Sequence, residues 1–315
     1  MSLAERWRHW RRLAKSRLPY VRRREYAKLE QRYRAITDAL GQGLPPCTDA
    51  AISALKPVNG VLGREVVFFV TYAPTPALKQ HVVRHIEALL SAGWQVVLVA
   101  NTPLKPEQIT IEPPLLDRLA GAYVRDNLGF DFAAWAHLYA LLEANLVGCE
   151  RLLLTNDSIV GPLRAGQLDA VLTRVRASLA DVVGLTEYHA PRYHLQSFFL
   201  VFQHRAVQSN ALGGFMHEVK NLPSKDLVID FYETVLSDRL KRAGLDLEAL
   251  FPSMAGSVFE SNDTSERWAE LVDKGFPYVK TSMLEKHWNN PRMKTLVPAE
   301  IRDAYEFANA RTATG

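Results

Sequence analysis

Cysteine is nearly absent from this chain of 315 residues, with only two present. Cys47 and Cys149 lie far apart and form no CxxC or metal spacing. That excludes a disulfide scaffold and fits a reducing compartment. No apolar run approaches the ~18 residues that a membrane-spanning helix needs. The opening MSLAERWRHWRR lacks the apolar core of a secretion signal. Neither GxGxxG nor a GxxxxGK followed by Ser or Thr occurs, so the usual dinucleotide and P-loop readings have no support. A hydrolase reading lacks both GxSxG and a paired His/Cys constellation. There is no internal repeat. These absences lead to the expectation of a cytoplasmic protein.

What is present begins with an ordinary composition: 48% apolar, 17 Gly and 17 Pro. Such a chain builds one large or two modest domains. The net charge of +4 is unevenly spread. Residues 1–34 hold twelve Lys or Arg against three Asp or Glu, a net +9, which leaves −5 for the rest. Trp7, Trp10, Leu13 and Leu18 are interleaved there with Arg6, Arg8, Arg11, Arg12, Lys15 and Arg17. Tryptophan favours membrane interfaces, and each basic residue is drawn to anionic headgroups by roughly 1 kcal/mol. The arm therefore reads as a peripheral anchor on a membrane surface, the inner face of the plasma membrane. A solvated basic helix packing its tryptophans on the body fits the pattern equally. Nucleic-acid binding through phosphate contacts is the weakest reading, and no nucleic-acid partner is expected.

Residues 41–63 are rich in Gly and Pro and read as a linker. An alternation of strands and helices follows. Strands are expected at 66–70, 94–99, 122–124, 152–154 and 181–185, and helices at 76–92, 114–120, 132–147 and 167–178. That order means βαβ units and a mainly parallel sheet. Residues 194–207, HLQSFFLVFQHRAV, read as one long strand. A short helix at 212–221 and a long one follow, the latter from Ser224 as N-cap to Gly244 as stop. A helix at 264–274, a short strand at 277–280 and a helical tail complete the chain. Three segments result: a basic extension and linker (1–63), a catalytic domain (64–290) and a tail (291–315).

The stretch Arg151–Leu163, RLLLTNDSIVGPL, is the centre of the functional reading. A buried strand ends at Asn156-Asp157-Ser158, and in open α/β sheets ligands bind at the carboxyl ends of strands. A carboxylate and an amide there suit a metal-bound phosphate or a sugar hydroxyl, although a simple capping role serves the same residues. The loop Arg125-Asp126-Asn127-Leu128-Gly129-Phe130-Asp131 follows the third strand and falls at the same edge. Arg125 suits a diphosphate as a fork, and Asp131 a ribose or sugar hydroxyl, the alternative being an Asp131 cap paired with Arg125. His194, Gln196 and Ser197 open the long strand as pocket candidates. Lys220 and Lys225 flank the start of the long helix, where anions are attracted. Glu233 lies inside that helix, either as a buried base or as an exposed charge.

The segments RDNLGFDFAAW, LLLTNDSIVGPL, DVVGLTEY, HLQSFFLVF, VKNLPSKDLVI and YETVLSDRLKRAG, in that order, resemble the rhamnan synthesis protein F family over roughly residues 65–250. The resemblance implies a glycosyltransferase of cell-surface polysaccharide assembly with a GT-A-like, Rossmann-type α/β fold. By that resemblance Asn156, Asp157 and Ser158 meet the donor diphosphate. Arg125, Asn127, Gly129 and Asp131 match the arginine–asparagine–glycine–aspartate loop. His194, Gln196 and Ser197 match the histidine–glutamine–serine strand, and Glu233 the helix glutamate. Val235 and Glu187 depart from the pattern, as does NDS in place of a double-aspartate motif.

The implied donor is a nucleotide-diphosphate sugar such as dTDP-rhamnose, and the acceptor a lipid-linked or polysaccharide chain. Thr71, Tyr72 and Asn101 would face base and ribose. Asp157, through Mg²⁺ or Mn²⁺, with Lys220, Lys225 or Arg125, would meet the leaving diphosphate. Glu233 or Asp131 would act as base in an inverting transfer. The competing reading is a non-catalytic carbohydrate- or nucleotide-binding module docked by its basic arm.

Overall fold

The computed structural model describes residues 43–190, 192–254 and 262–302, with a few positions between 31 and 41. Residues 1–30 of the basic arm and 303–315 of the tail lie outside the described residues.

The architecture is mixed α/β around one nine-stranded, mostly parallel sheet. Strands β1 (Ile52–Lys56), β2 (Glu65–Tyr72), β3 (Gln95–Thr102), β4 (Gly121–Asp126) and β5 (Arg151–Asn156) make one half. Helices α1 (Gln80–Ser91), α2 (Pro113–Arg118) and α3 (Phe130–Leu142) connect them. After a short strand β6 (Ile159–Val160) and helix α4 (Gln167–Ala177) come β7 (Val182–Tyr188), β8 (His194–Leu195) and β9 (Phe199–Gln203). Two short helices follow, α5 (His204–Val207) and α6 (Asn210–Glu218). The long helix comprises α7 (Lys225–Val228), a π turn (Ile229–Glu233) and α8 (Thr234–Arg242), and β10 (Leu247–Phe251) closes the sheet. The order is β1-β4-β3-β2-β5-β9-β7-β10, with β8 paired to β7. Strand β9 runs antiparallel to both β5 and β7, and β1 antiparallel to β4.

The apolar runs are continuous because the central strands are covered on both faces. Val66, Phe68 and Val70 of β2 join Leu152 and Leu154 against α3. Val67 and Phe69 join Leu153 on the other face, against α1 and α4. Helix α3 buries most of its circumference, and Trp135 donates Nε1–H to the Phe68 carbonyl at 3.1 Å. Helix α1 is amphipathic, with Val82, His85, Ile86 and Leu89 inward.

The C-terminal part, helices α9 (Asp263–Glu266), α10 (Trp268–Asp273), α11 (Thr281–Lys286) and α12 (Pro291–Leu296), packs as a small third cluster. Its strand β11 (Val279–Lys280) pairs antiparallel with β6, directly beyond the end of β5. Gly161 permits that approach, since a Cβ there would sit 2.4 Å from the Pro277 carbonyl oxygen.

Two expectations change, and one strand is unforeseen. The long strand over 194–207 is broken: β8 forms a hairpin with β7, the chain leaves the ladder at Gln196-Ser197, and residues 204–207 turn helical. The segment read as linker contains β1, an edge strand whose half-exposed sequence ISALK carries no apolar run. Strand β10, LEALF, has the same character at the opposite edge. The long helix begins and ends at Ser224 and Gly244 as expected, the Ser224 hydroxyl accepting from Leu227 N–H at 3.3 Å and Gly244 at φ +77°.

Candidate active site

The carboxyl ends of β2, β3, β4 and β5 come level at one edge, where Val70 pairs with Asn156, Tyr72 with Asn101 and Thr102 with Asp126. Asp157 is the first residue past β5. Its Oδ2 accepts from Thr71 Oγ1 at 2.8 Å, Tyr72 N–H at 3.0 Å and Lys79 Nζ at 2.8 Å. Its backbone carbonyl faces His81 Nε2 at 3.1 Å, and burial holds that imidazole below its ordinary range. Asp157 thus ties the ends of β2 and β5 to the start of α1.

Asn156 relays from this knot to the next carboxylate. Its Oδ1 accepts from Ser158 N–H at 3.1 Å and Oγ–H at 2.6 Å, while its Nδ2 donates to Asp131 Oδ2 at 2.8 Å. Asp131 sits in the first turn of α3, where its Oδ1 accepts from Phe132 N–H at 3.0 Å. Burial, and then the nearby Glu233 charge, push its carboxyl up to about 6, against the opposing pull of Lys225, Phe132 N–H and Asn156. Glu233 stands in the π turn and accepts from Ser197 N–H at 3.0 Å. Such turns recur at functional sites because they re-aim a side chain within a helix.

Lys280 joins from β11. Burial lowers its pKa from the ordinary lysine value, Glu233 opposes that and Lys225 adds to it. Thr281 N–H donates to the Ser158 carbonyl at 2.9 Å and holds this strand on the Asn-Asp-Ser turn. The group brought together is therefore Thr71, Tyr72, Asp131, Asn156, Asp157, Ser158, Ser197, Lys225 and Glu233, with Lys79, His81 and Lys280 in addition.

Other expected residues lie elsewhere. Arg125 is 1% exposed, and its five N–H donors are all taken. Nε donates to His137 Nδ1, Nη1 to the Asp126 and Leu128 carbonyls, and Nη2 to the Cys47 carbonyl and Asn221 Oδ1. Burial brings its pKa down to about 10 and that of His137 to about 4. Arg125 fastens the loop from beneath, with no N–H left for a diphosphate. Gly129 serves the same loop. At φ +69° a Cβ there would come 2.8 Å from Asn221 Cα. Asn127 is exposed on that loop.

His194 is buried with Nδ1 2.9 Å from the Arg192 carbonyl oxygen. Gln196 is buried and accepts from Thr186 Oγ1 at 2.8 Å. Both support the β7–β8 hairpin, while Ser197, next in sequence, touches the cluster through its backbone. The Lys220 backbone pairs with Pro46 and with Tyr232 Oη, and its charge is felt at Cys47, on the Arg125 side. Asn101 donates to the Phe130 carbonyl at 3.2 Å, and its buried Oδ1 has no partner among the described residues. An unsatisfied buried acceptor at the carboxyl edge of such a sheet suits a donor from a bound molecule.

The donor set does not fit a resident divalent cation. Among the described residues no three His, Cys, Asp or Glu side chains gather as metal ligands. Asp157, the expected ligand, already gives Oδ2 to three donors, one of them an ammonium. A separate apolar cavity of about 290 Å³, lined by Phe215, Leu222, Leu227, Phe231 and Tyr232, shares no residue with the polar cluster. No helix among the described residues is long and apolar enough to cross a membrane.

A sequence model of the rhamnan synthesis protein F family matches residues 96–307. The chain belongs to that family. It is 25% identical over 193 residues to virulence protein VirA of Vibrio anguillarum, covering 51% of this chain and 60% of that protein. It is 24% identical over 200 residues to the uncharacterized protein y4gN of Sinorhizobium fredii, covering 62% of this chain and 50% of that protein. The chain thus spans between half and three fifths of the curated relatives it matches. Among solved structures, 4-diphosphocytidyl-2C-methyl-D-erythritol synthase aligns with a TM-score of 0.37 and 12% identity, over 68% of this chain and 99% of that one.

Proposed function

We propose that this protein is a glycosyltransferase of polysaccharide synthesis. It transfers a sugar, rhamnose or a related deoxysugar, from a nucleotide-diphosphate donor to a growing cell-surface chain. Membership of a rhamnan synthesis family supports the polysaccharide and the sugar. A parallel sheet with an open carboxyl edge, and one reversed strand beside the site, supports a GT-A-like arrangement for a nucleotide ligand.

The observation that carries the chemistry is the Asp131–Glu233 pair at that edge. Burial and the neighbouring Glu233 charge raise Asp131 to about 6, and a base with pKa about 6 is ionised yet still basic at pH 7. In the transfer the acceptor hydroxyl oxygen bonds to C1 and its proton passes to this pair. The C1–oxygen bond to the diphosphate breaks, and its electrons leave on the phosphate oxygen with inversion at C1. Asn156 orients Asp131, and the Ser197 backbone orients Glu233. Positioning and charge complementarity supply most of the rate. The basic arm, residues 1–34, supports docking on an anionic membrane carrying a lipid-linked acceptor.

The test is release of nucleoside diphosphate from a panel of nucleotide sugars in the presence of polysaccharide or lipid-linked acceptors. Release by the wild type and loss in Asp131→Asn and Glu233→Gln are expected. Donor binding without release for every acceptor would favour a non-catalytic binding module.

A further inference from the structure

Lys280 is an ammonium group with no carboxylate in ion-pair contact, although the Glu233 charge reaches it. It makes no hydrogen bond and no ion pair among the described residues, and its Nζ rests 5.4 Å from the centroid of the Phe198 ring. Its register partner is Ile159, two residues past Asp157, and the Thr281 bond to Ser158 fixes it above the turn that ends β5. Lys225, exposed at the start of the long helix, is near enough to bear on both Lys280 and Asp131. It too makes no hydrogen bond or ion pair among the described residues. Lys79, by contrast, is already committed to Asp157 at 2.8 Å. A buried cation with no carboxylate in contact is costly to hold. Lys280, with the solvated Lys225 close enough to bear on it and no ion pair at either, describes a place for a multiply charged anion.

We propose that Lys280 and Lys225 form the subsite for the leaving diphosphate of the donor, doing there what a metal ion held on Asp157 would otherwise do. The proposal rests on the glycosyl-transfer reading. As the C1–oxygen bond breaks, the electron pair arrives on the terminal phosphate oxygen, and the two ammonium groups stabilise that charge with no further reactant. Strand β11 belongs to the C-terminal cluster, so this part of the chain completes the site rather than trailing from it. The negative charge on the phosphate oxygen grows as the bond breaks, so the two cations act more strongly on the transition state than on the bound donor. Lysine suits the role as a mobile point charge.

The experiment uses the full chain and titration calorimetry with inorganic pyrophosphate and with the pairs dTMP/dTDP, UMP/UDP and GMP/GDP. Each is run in EDTA and again in Mg²⁺. The variants are Lys280→Met, Lys280→Arg and Lys225→Gln. Wild type should bind pyrophosphate and at least one diphosphate in EDTA. Lys280→Met and Lys225→Gln should each weaken those ligands about tenfold or more, as expected for a lost charge-assisted contact, and the matching monophosphate less than twofold. Lys280→Arg should restore most of the affinity. Unliganded Lys280→Met should melt at or above the wild-type temperature, because it removes a buried charge that no contacting carboxylate offsets. Undiminished diphosphate binding by Lys280→Met would overturn the subsite, as would binding that disappears in EDTA. A lower melting temperature for unliganded Lys280→Met would also overturn it by making Lys280 structural. If the wild type binds neither pyrophosphate nor any diphosphate, the glycosyl-transfer reading falls and the subsite with it. Binding that ignores both lysines removes the subsite alone.

Discussion

Replacing Asp131 with Asn separates what the site does from what holds the fold together. The native carboxyl is raised from 3.8 to about 6, chiefly by burial. Well below pH 3.8 it is protonated in both folded and unfolded chains, so it contributes no difference. As pH rises, the unfolded carboxyl ionises first, and stability is lost progressively until the native carboxyl has ionised above about 6. At 1.36 kcal/mol per pH unit the interval is worth at most about 3 kcal/mol. Asn recovers only part of that. Its amide keeps one acceptor for Phe132 N–H but sets an NH₂ against the Asn156 NH₂, which costs about 1–2 kcal/mol. The net is a gain of about 1–2 kcal/mol at pH 8, or about 2–6 °C in a chain of this size. Near pH 4 the gain should vanish or reverse. Calorimetric melts at pH 4 and pH 8, beside turnover read as released nucleoside diphosphate, make the test. Turnover should fall at least about 100-fold in the variant, and wild-type turnover should climb through pH about 6 to a plateau. A variant that melts lower at pH 8 and keeps near-normal turnover would refute the reasoning, since Asp131 would then be a favourable helix-start charge.

Three further substitutions test the supports of the site. Arg125→Met strands three carbonyls, Asn221 Oδ1 and His137 Nδ1 together and should cost about 3 kcal/mol or more in a urea melt. The folded fraction should keep its nucleoside-diphosphate affinity, and a selective loss of affinity would put Arg125 back on the phosphates. Asp157→Ala should abolish turnover and also cost about 1–3 kcal/mol, because Thr71, Tyr72 and Lys79 lose their shared acceptor. An unchanged urea midpoint would contradict that tie. Gly129→Ala meets a left-handed backbone at φ +69° and a Cβ only 2.8 Å from Asn221 Cα, and should lose about 2 kcal/mol or more. A wild-type midpoint would show that the loop can move aside.

The parallel half of the fold is legible because burial on both faces writes itself as uninterrupted apolar letters. EVVFFVTY, QVVLVANT and RLLLTN admit few other readings. The edges are not legible for the converse reason. ISALK and LEALF need cover on one side only and hydrogen-bond along one side only, so neither shows a run or a clean alternation. The segment HLQSFFLVFQHRAV reads as one strand because of its apolar, aromatic-rich centre, Phe198 to Phe202. What breaks it is a change of partner, β8 leaving β7 and β9 entering between β7 and β5, and no local letter records that move.

The site divides along a similar line. Asn156, Asp157 and Asp131 can be singled out because polar groups at strand ends and helix starts are conspicuous in an apolar chain, whereas Glu233, inside a helix, stands out only by the family resemblance. What they do cannot be read the same way. Arg125 has the right chemistry for phosphate, but the decision belongs to five acceptors drawn from Cys47 to Asn221, and a side chain with every donor spent is a fastener whatever its type. Lys280 is the mirror case: an unremarkable letter in YVK, about 120 residues from the turn it overlooks, and singled out only because the fold brings it there with no ion-pair contact. Some of the site is carried by groups that every residue possesses, such as Tyr72 N–H on Asp157 and Ser197 N–H on Glu233. Those contacts depend on where the backbone lies, so a family match beginning at residue 96 does not reach β2 at all, although β2 supplies two of the three donors that fix Asp157. The physical unit of function here is therefore the level edge of the sheet, and the identity of a residue there matters only after the fold has decided which of its hydrogen bonds remain unspent.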